Sequence, residues 1–151
     1  MLSIIQNIPN INIYPLKYVF QIMKLRHKPN TLWLEFGVAS GRTINYISRF
    51  TRNKVYGFDS FEGLPEKWRD GIDKGAFSTN GILPKVYPNV ELIKGWFNET
   101  LPSFIKKHNK KISFIHMDAD LYSSTKFVLD ELKDYIDNGC IIVFDELVNY
   151  P

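Results

Sequence analysis

Residues 31–47 read TLWLEFGVASGRTINYI, and this stretch decides the fold class. Its first six residues are largely apolar, as expected for a strand that is buried on both faces of a parallel sheet. Gly37 and Gly41 follow with small residues between them, and a helix is predicted over 41–52. A strand that passes through a glycine turn into a helix is typical of a doubly wound α/β domain.

The alternation of apolar runs and helices continues along the chain. Further strands are predicted at 54–58, 90–94, 112–117 and 140–144, and further helices at 15–27, 99–109 and 122–137. The helix over 122–137 has one apolar stripe, and Asn138-Gly139 follows it as a left-handed stop signal. The pattern predicts an α/β, Rossmann-like, doubly wound fold with a mainly parallel sheet of about five strands flanked by helices.

The composition fits one folded domain over residues 1–151. The chain is 23% charged and 44% hydrophobic, and a domain of this length buries roughly two thirds of its surface. Its apolar runs are far shorter than the ~20 residues that span a bilayer, and residues 1–13 lack the basic start of a secretory signal. We therefore expect a cytoplasmic protein without membrane contacts. The formal charge of +3 argues against nucleic-acid binding, and Cys140, in an apolar run, is interpreted as a buried, inert thiol.

Residues 60–89 interrupt the alternation of strands and helices. Their glycines and prolines predict a loop, and Phe61, Trp68 and Phe77 indicate that this loop is ordered. Long ordered loops in compact domains often carry function. Trp68, Phe77 and the later Tyr150 are therefore candidates for lining a binding pocket, although packing in the core or the loop explains them equally well.

Other candidate residues follow the carboxyl ends of the strands, where ligands bind in open α/β sheets. The turn from Gly37 to Gly41 lets the backbone approach a ligand closely, with a plain tight turn as an equal alternative. Asp59 can accept hydrogen bonds from two ribose hydroxyls or cap the next turn. Trp96 is either a wall for an adenine ring or a core residue. The glycine turn and Asp59 together favour nucleoside binding.

Four carboxylates follow the fourth and fifth predicted strands. Asp118 and Asp120 belong to the run HMDADLY, and Asp145 and Glu146 follow the last strand. Four acidic side chains at neighbouring strand ends repel one another unless a cation or a proton intervenes, and hard oxygen ligands suit Mg²⁺, Mn²⁺ or Ca²⁺. If Asp120 only caps the following helix, three acids stay unexplained. His116 is interpreted as a structural histidine.

These motifs resemble a known family. The chain is similar to class I S-adenosylmethionine-dependent methyltransferases, and within them to the macrocin O-methyltransferase-like group, in the runs LEFGVASG, VYGFDSFEGLPEKW, GWFNETLP, IHMDADLYSST and NGCIIVFDELVNYP. The resemblance covers about residues 31–151, and the D-x-D-L-Y-x-S-T run with its downstream acidic pair is the most specific part. It implies methyl transfer from S-adenosylmethionine to a hydroxyl of a small molecule or sugar moiety, with a divalent cation such as Mg²⁺.

The resemblance also implies roles for individual residues. It assigns cofactor binding to Glu35, Gly37, Ala39, Ser40, Gly41, Asp59, Ser60, Trp96 and Asp118. Metal ligands in related enzymes fall at Asp118, Asp145 and Glu146, and a general base falls at Asp120, so that Asp118 and Asp120 are the catalytic candidates. A metal lowers the pKa of a bound hydroxyl, and a nearby carboxylate removes its proton as the oxygen attacks the sulfonium methyl.

Two features depart from the family pattern. The second member of the acidic pair is Glu146, whereas Asp-Asp is more common, and this puts the metal requirement in question. The family fold continues through another helix and two strands, whereas this sequence ends at Pro151. We therefore expect an open apolar edge on the last strand, which implies a fragment, a shortened form, or a second copy that covers the edge.

Two other functions stay open at this point. Asp118-Ala119-Asp120 also matches the D-x-D of metal-dependent glycosyltransferases, which leaves the glycine turn and the acidic pair without a role. The other alternative is a non-catalytic domain that binds the cofactor or serves as a scaffold.

Overall fold

The computed structural model describes residues 14–22 and 28–145, and within them five strands form one sheet. The strands are β1 (Leu32–Phe36), β2 (Val55–Asp59), β3 (Val90–Lys94), β4 (Ile112–Met117) and β5 (Ile136–Phe144). They pair in the order β3-β2-β1-β4-β5, and each of these pairings is parallel. The predicted doubly wound α/β fold is confirmed.

Helical segments cover both faces of the sheet. They are α1 (Pro15–Lys17), which continues as a π-helical turn over Tyr18–Ile22, α2 (Arg42–Ile47), which continues as a 3-10 turn over Ser48–Phe50, α3 (Phe97–His108) and α4 (Tyr122–Leu132). The segments from Pro15 and α2 pack into one buried cluster, and α3 and α4 pack into the other. Within the described ranges, no helix has the length and apolar character that a membrane span requires.

The β1 strand explains why its sequence is a continuous apolar run. Trp33 points into the cluster with α2, and Leu34 points into the cluster with α3 and α4. These two side chains are 1% and 0% exposed. β2 and β4 pair with its two edges, and helical segments cover both of its faces, so alternation with polar residues is absent.

The last helix and strand differ from the prediction. α4 ends at Leu132 rather than at 137, and β5 begins at Ile136 rather than at 140. Asn138-Gly139 lies in an irregular part of β5, where Gly139 has a φ of +75°. The left-handed signal is therefore real, but it marks a bulge in a strand instead of a helix end. Lys28 holds this bulge through Nζ, which donates to Oδ2 of Asp137 at 3.0 Å.

Smaller differences concern the other elements. β3 and β4 match their predicted bounds, β1 begins one residue later than predicted, and β2 is shifted by one residue at both ends. α3 begins at Phe97 rather than at 99. The predicted helix over 15–27 is described only as far as Ile22, and residues 23–27 lie outside the described ranges. Cys140 is only partly buried, and burial raises the pKa of its thiol to about 11, which keeps it protonated.

The loop between β2 and β3 is ordered without regular structure. Phe61 is 1% exposed, and its carbonyl oxygen accepts hydrogen bonds from the N–H groups of Thr79 at 3.2 Å and Gly81 at 2.8 Å. Further along, the Tyr87 N–H donates to Oδ1 of Asn45 at 2.9 Å, which ties the end of the loop to α2. The loop is thereby fixed against the carboxyl edge of the sheet.

Candidate active site

A cleft of about 860 Å³ opens at the carboxyl ends of the central strands. This volume lies in the upper part of the ~300–1,000 Å³ range of ligand pockets. The predicted site residues that line it are Gly37, Ala39, Asp59, Ser60, Trp96, Asp118 and Asp120. The strand order reverses between β1 and β4, so the cleft lies where open α/β sheets bind ligands.

The remaining predicted site residues do not form its wall. Glu35 is fully buried, Gly41 is buried beneath Pro84, and Ser40 and Asp145 are exposed. Glu146 and Tyr150 lie outside the described residues. The roles assigned to these six residues therefore stay predictions.

Gly37 joins the glycine turn to the carboxylate-bearing strand. Its φ is +88°, and a Cβ at this position would lie 1.8 Å from the carbonyl oxygen of Asp118. The N–H of Asp118 in turn donates to the Phe36 carbonyl oxygen at 2.9 Å. Only a residue without a side chain allows this approach, so the two motifs, whose residues Gly37 and Asp118 are 81 positions apart in the sequence, meet in one site.

Asp59 is held by the backbone around it. Its Oδ2 accepts hydrogen bonds from the N–H groups of Val38 and Ala39, both at 2.8 Å, and its Oδ1 accepts from the Phe61 N–H at 2.7 Å. The predicted capping role is therefore present. A carboxylate has about four acceptor positions, so roughly one is left for a ribose hydroxyl in this arrangement.

Aromatic side chains form the wall of the cleft beyond β3. Trp96 directly precedes α3 and lines the cleft together with Phe97, whose ring packs edge-on against Phe36 at 5.4 Å. Phe127 of α4 also lines the cleft. The sequence pattern assigned Phe127 to the core stripe, and it does pack against the core. Its position near the start of the helix that follows the D-x-D run is the signal that could have placed it at the ligand.

The loop over 60–89 forms the opposite wall. Trp68 and Phe77 both line the cleft, as does Arg69, whose guanidinium lies 4.2 Å from the Trp68 ring centroid. The Ser123 hydroxyl donates to Oε1 of Glu66 at 2.8 Å and links the loop to α4. Neither Arg69 nor this link followed from the pattern, because both depend on how the loop crosses the strand ends.

The D-x-D carboxylates are partly buried and repel their neighbour Asp145. Burial and the charge of Asp145 raise the pKa of Asp118 to about 7, against the opposing effect of His116. The same two causes raise the pKa of Asp120 to about 6, opposed by Arg69. Asp120 also has a left-handed φ of +57°. Two groups in the cleft can therefore take up or release a proton near neutral pH.

A buried pair lies directly behind the carboxylates. Nδ1 of His116 lies 2.9 Å from Oε1 of Glu35, and both side chains are 0% exposed. Burial raises the pKa of Glu35, while for His116 the hydrogen bond and charge of Glu35 outweigh burial, so its pKa also rises. One ring nitrogen of His116, one oxygen of Asp118 and one oxygen of Asp145 lie within 4.8 Å of one another. Glu35, predicted to hold the cofactor's ammonium group, thus contacts a histidine.

Known proteins are similar to this chain in sequence and in fold. Among curated proteins, the 8-demethyl-8-(2,3-dimethoxy-alpha-L-rhamnosyl)-tetracenomycin-C 4'-O-methyltransferase of Streptomyces olivaceus is 30% identical, over 64% of this chain and 42% of that protein. The chain thus spans less than half the length of this relative. The crystal structure of CalS11, a calicheamicin methyltransferase, matches with a TM-score of 0.65 at 22% identity, over 96% of this chain and 74% of that one.

A second structure and a family model complete the comparison. The apo structure of CalS11, described as a TDP-rhamnose 3'-O-methyltransferase of calicheamicin biosynthesis, matches with a TM-score of 0.56 at 21% identity, over 97% of this chain and 74% of that one. At these identities the likeness concerns the fold. Residues 34–147, most of the chain, match the model of a family described as a methyltransferase domain. The chain belongs to this methyltransferase family.

Proposed function

We propose that this chain acts as an S-adenosylmethionine-dependent O-methyltransferase on a hydroxyl of a sugar moiety or another small molecule. The observation that carries the proposal is the contact of Gly37 with Asp118, which puts the glycine turn and the D-x-D carboxylates in one cleft. The Streptomyces olivaceus relative and CalS11 bear the names of sugar O-methyltransferases, which supports a sugar as the acceptor.

The residues at the ends of β1, β2 and β3 fit the cofactor. Gly37 and Ala39 line the cleft and carry no large side chain, so the methionine part of the cofactor can approach the backbone there. Asp59 has an acceptor position left for the ribose, and Trp96 offers a face to the adenine. S-adenosylmethionine, when bound, supplies an electrophilic methyl group next to the D-x-D carboxylates.

The D-x-D carboxylates fit the proton transfer. Asp120, with a pKa of about 6, takes the proton of the acceptor hydroxyl as the oxygen forms its bond to the methyl carbon. The carbon–sulfur bond breaks in the same step, S-adenosylhomocysteine leaves, and the proton stays on Asp120. A divalent cation held by Asp118, Asp145 and Glu146 would lower the pKa of that hydroxyl and offset the repulsion between the carboxylates.

The acceptor side of the cleft is the loop over 60–89. Trp68 and Phe77 give it an apolar surface, and the hydrogen bond between Ser123 and Glu66 holds the loop over the start of α4. We assign the acceptor to this wall, because the opposite wall with Trp96 is taken by the cofactor.

Binding of S-adenosylhomocysteine, followed by isothermal calorimetry, tests the proposal. Trp96→Ala should weaken binding by about 10-fold or more, since stacking of a base on an aromatic ring contributes ~1–3 kcal/mol. Trp96 is a cleaner probe than Asp59, whose removal leaves three backbone N–H groups without an acceptor. Tyr122→Ala is the matched control, because this ring is 80% exposed and is not part of the cleft wall.

Two results would contradict the proposal. Binding of a uridine diphosphate sugar without any response to S-adenosylhomocysteine would favour the glycosyltransferase alternative. Binding of the cofactor with no methyl transfer to any of a panel of glycosylated small molecules would favour the non-catalytic alternative.

Several earlier expectations stay proposals. We propose a cytoplasmic location, a single domain over residues 1–151, no nucleic-acid partner, and a second copy of the chain on the edge at β5. In the described part of the chain β5 pairs with β4 alone, and its Ile142 and Phe144 side chains are only partly buried, which supports a covered edge.

A further inference from the structure

One buried nitrogen in the site has no partner. Nε2 of His116 has no hydrogen bond within the described residues, although the side chain is 0% exposed. A buried polar atom without a partner costs about 1–3 kcal/mol, and such an atom next to a ligand site calls for a ligand. The other ring nitrogen, Nδ1, is not available, because it forms a hydrogen bond with Glu35.

The fold brings the ring of His116 close to the carboxylates. His116 and Asp118 are two residues apart around the end of β4, so their side chains leave the strand on the same face. Glu35 lies opposite His116 in the pairing of β1 with β4. With Glu35 ionised, Nδ1–H of His116 donates to it, and the lone pair of Nε2 is left available for a ligand. A carboxylate that holds a histidine in this tautomer is the usual support of a metal-binding imidazole.

We infer that the site binds a transition-metal ion through Nε2 of His116 and one carboxylate oxygen each of Asp118 and Asp145. The inference rests on the proposed function and deepens it, because it names the class of metal at the same site. Imidazole nitrogen favours first-row transition metals such as Mn²⁺, Co²⁺ or Zn²⁺, whereas Mg²⁺ and Ca²⁺ favour oxygen ligands alone. A dication also balances the two carboxylates, which otherwise repel each other.

The distances allow such a site with little movement. One ring nitrogen of His116 and one carboxylate oxygen each of Asp118 and Asp145 lie within 4.8 Å of one another. Bonds of ~2.0–2.2 Å place two ligands of one ion at most ~4.4 Å apart. Asp145 is exposed, so a rotation of its side chain closes the difference without disturbing the buried pair.

Metal titration of the chelator-treated protein, without cofactor or acceptor, tests the inference. We expect Mn²⁺ and Co²⁺ to bind at least 10-fold more tightly than Mg²⁺ in calorimetry. His116→Gln should reduce the Mn²⁺ affinity at least 10-fold and change the Mg²⁺ affinity little. Glu35→Gln should reduce the Mn²⁺ affinity about 10-fold or more, because it loosens the supporting hydrogen bond. His108→Gln is the matched control, since His108 packs on Tyr56 and Phe104. This variant should leave Mn²⁺ binding unchanged.

A second measurement does not depend on a buried substitution. Pulsed electron paramagnetic resonance of the Mn²⁺-loaded protein should detect coupling to a ligand nitrogen in the wild type and in His108→Gln. Lack of this coupling, equal affinities for Mn²⁺ and Mg²⁺, or no metal binding would each overturn the inference, the last making His116 a protonated counterion of the carboxylates. S-adenosylhomocysteine binding by the same preparation separates the two conclusions, because it fails only if the proposed function fails.

Discussion

Aspartate side chains on the two sides of the cleft have opposite surroundings. Asp59, at the end of β2, accepts three backbone hydrogen bonds from the turns around it. The carboxylate of Asp118, just after β4, accepts no hydrogen bond from the described residues. Burial and the charge of Asp145 raise its pKa to about 7. The carboxylate at the end of β2 already has its hydrogen-bond donors in the folded chain. The negative charge of the carboxylates after β4 is balanced only when a proton or a cation is added.

This difference separates structural from chemical roles. A carboxylate surrounded by N–H donors holds a loop in place, and its charge is already compensated. A carboxylate near like charges and without donors stores unfavourable energy that a ligand can relieve. Asp59 therefore holds the turns after β1 and β2 in place, and we propose that the carboxylates after β4 and β5 carry the chemistry.

Replacing the proposed base should give the largest effect. Asp120→Asn keeps the shape but removes the proton acceptor, so turnover with a glycosylated acceptor should fall by about 10²–10⁴-fold. The S-adenosylhomocysteine affinity should change less than about 2-fold, because the carboxylate serves the acceptor. Asp130→Asn, at an exposed site of α4 where Asp130 pairs with Lys126, is the control and should keep wild-type turnover. An undiminished rate in Asp120→Asn would remove this residue from catalysis.

Breaking the contact between the two sides should cost stability. Gly37→Ala puts a methyl group against the Asp118 carbonyl oxygen, so β1 and β4 must separate at their ends. We expect a loss of about 3 kcal/mol in the free energy of unfolding by urea. Gly71→Ala is the matched control, because its φ of +82° is similar and no atom lies within 4 Å. It should lose only about 1 kcal/mol, and equal losses would show that crowding at Gly37 is unimportant.

The two carboxylates should respond to neutralisation with opposite signs. In metal-free protein at pH 8, Asp59→Asn should lose about 2 kcal/mol of stability, because backbone N–H groups lose their acceptors. Asp118→Asn should gain about 1 kcal/mol, because a repelled charge is removed. Thermal unfolding in the presence of a chelator measures both changes.

The gain in Asp118→Asn should depend on pH. The pKa of Asp118 rises from 3.8 to about 7 on folding, so between these values the folded wild type binds more protons than the unfolded chain. The free energy of unfolding of the wild type therefore falls as pH rises through this range. The Asp118→Asn variant lacks the titrating carboxyl group and does not show this decrease. The gain should be largest at pH 8 and vanish near pH 4. A gain that is constant across pH would contradict the buried repulsion.

Much of the fold could be predicted because its signals are local. The run at β4 gave the observed bounds, since a strand buried on both faces shows as a continuous apolar segment. The run at β3 also gave the observed bounds, although β3 lies at the edge of the sheet and only Val90 of it is buried. The end of α4 was missed, since Asn138-Gly139 specifies a left-handed turn without specifying which element contains it. Pairing of Ile136 with Ile112 of β4 decided that question, and it is a contact between distant parts of the chain.

The candidate site likewise has residues that local signals predict and residues that only long-range contacts place. The position of Asp59, Trp96, Asp118 and Asp120 at one cleft could be predicted, because parallel strands deliver their carboxyl ends to one edge of the sheet. The pairing of Glu35 with His116 and the entry of Arg69 into the cleft were missed. The first depends on the register of β1 against β4, and the second on the path of the loop.

By itself, the sequence determined the doubly wound class, the glycine turn and the supply of carboxylates at the strand ends, because these follow from local periodicity and residue type. The tertiary structure alone decided which carboxylate is satisfied and which is not. Hydrogen-bond donors and neighbouring charges come from segments far apart in the chain, so the difference between Asp59, with its donors, and Asp118, with its repelling neighbour, arises only when the strands come together.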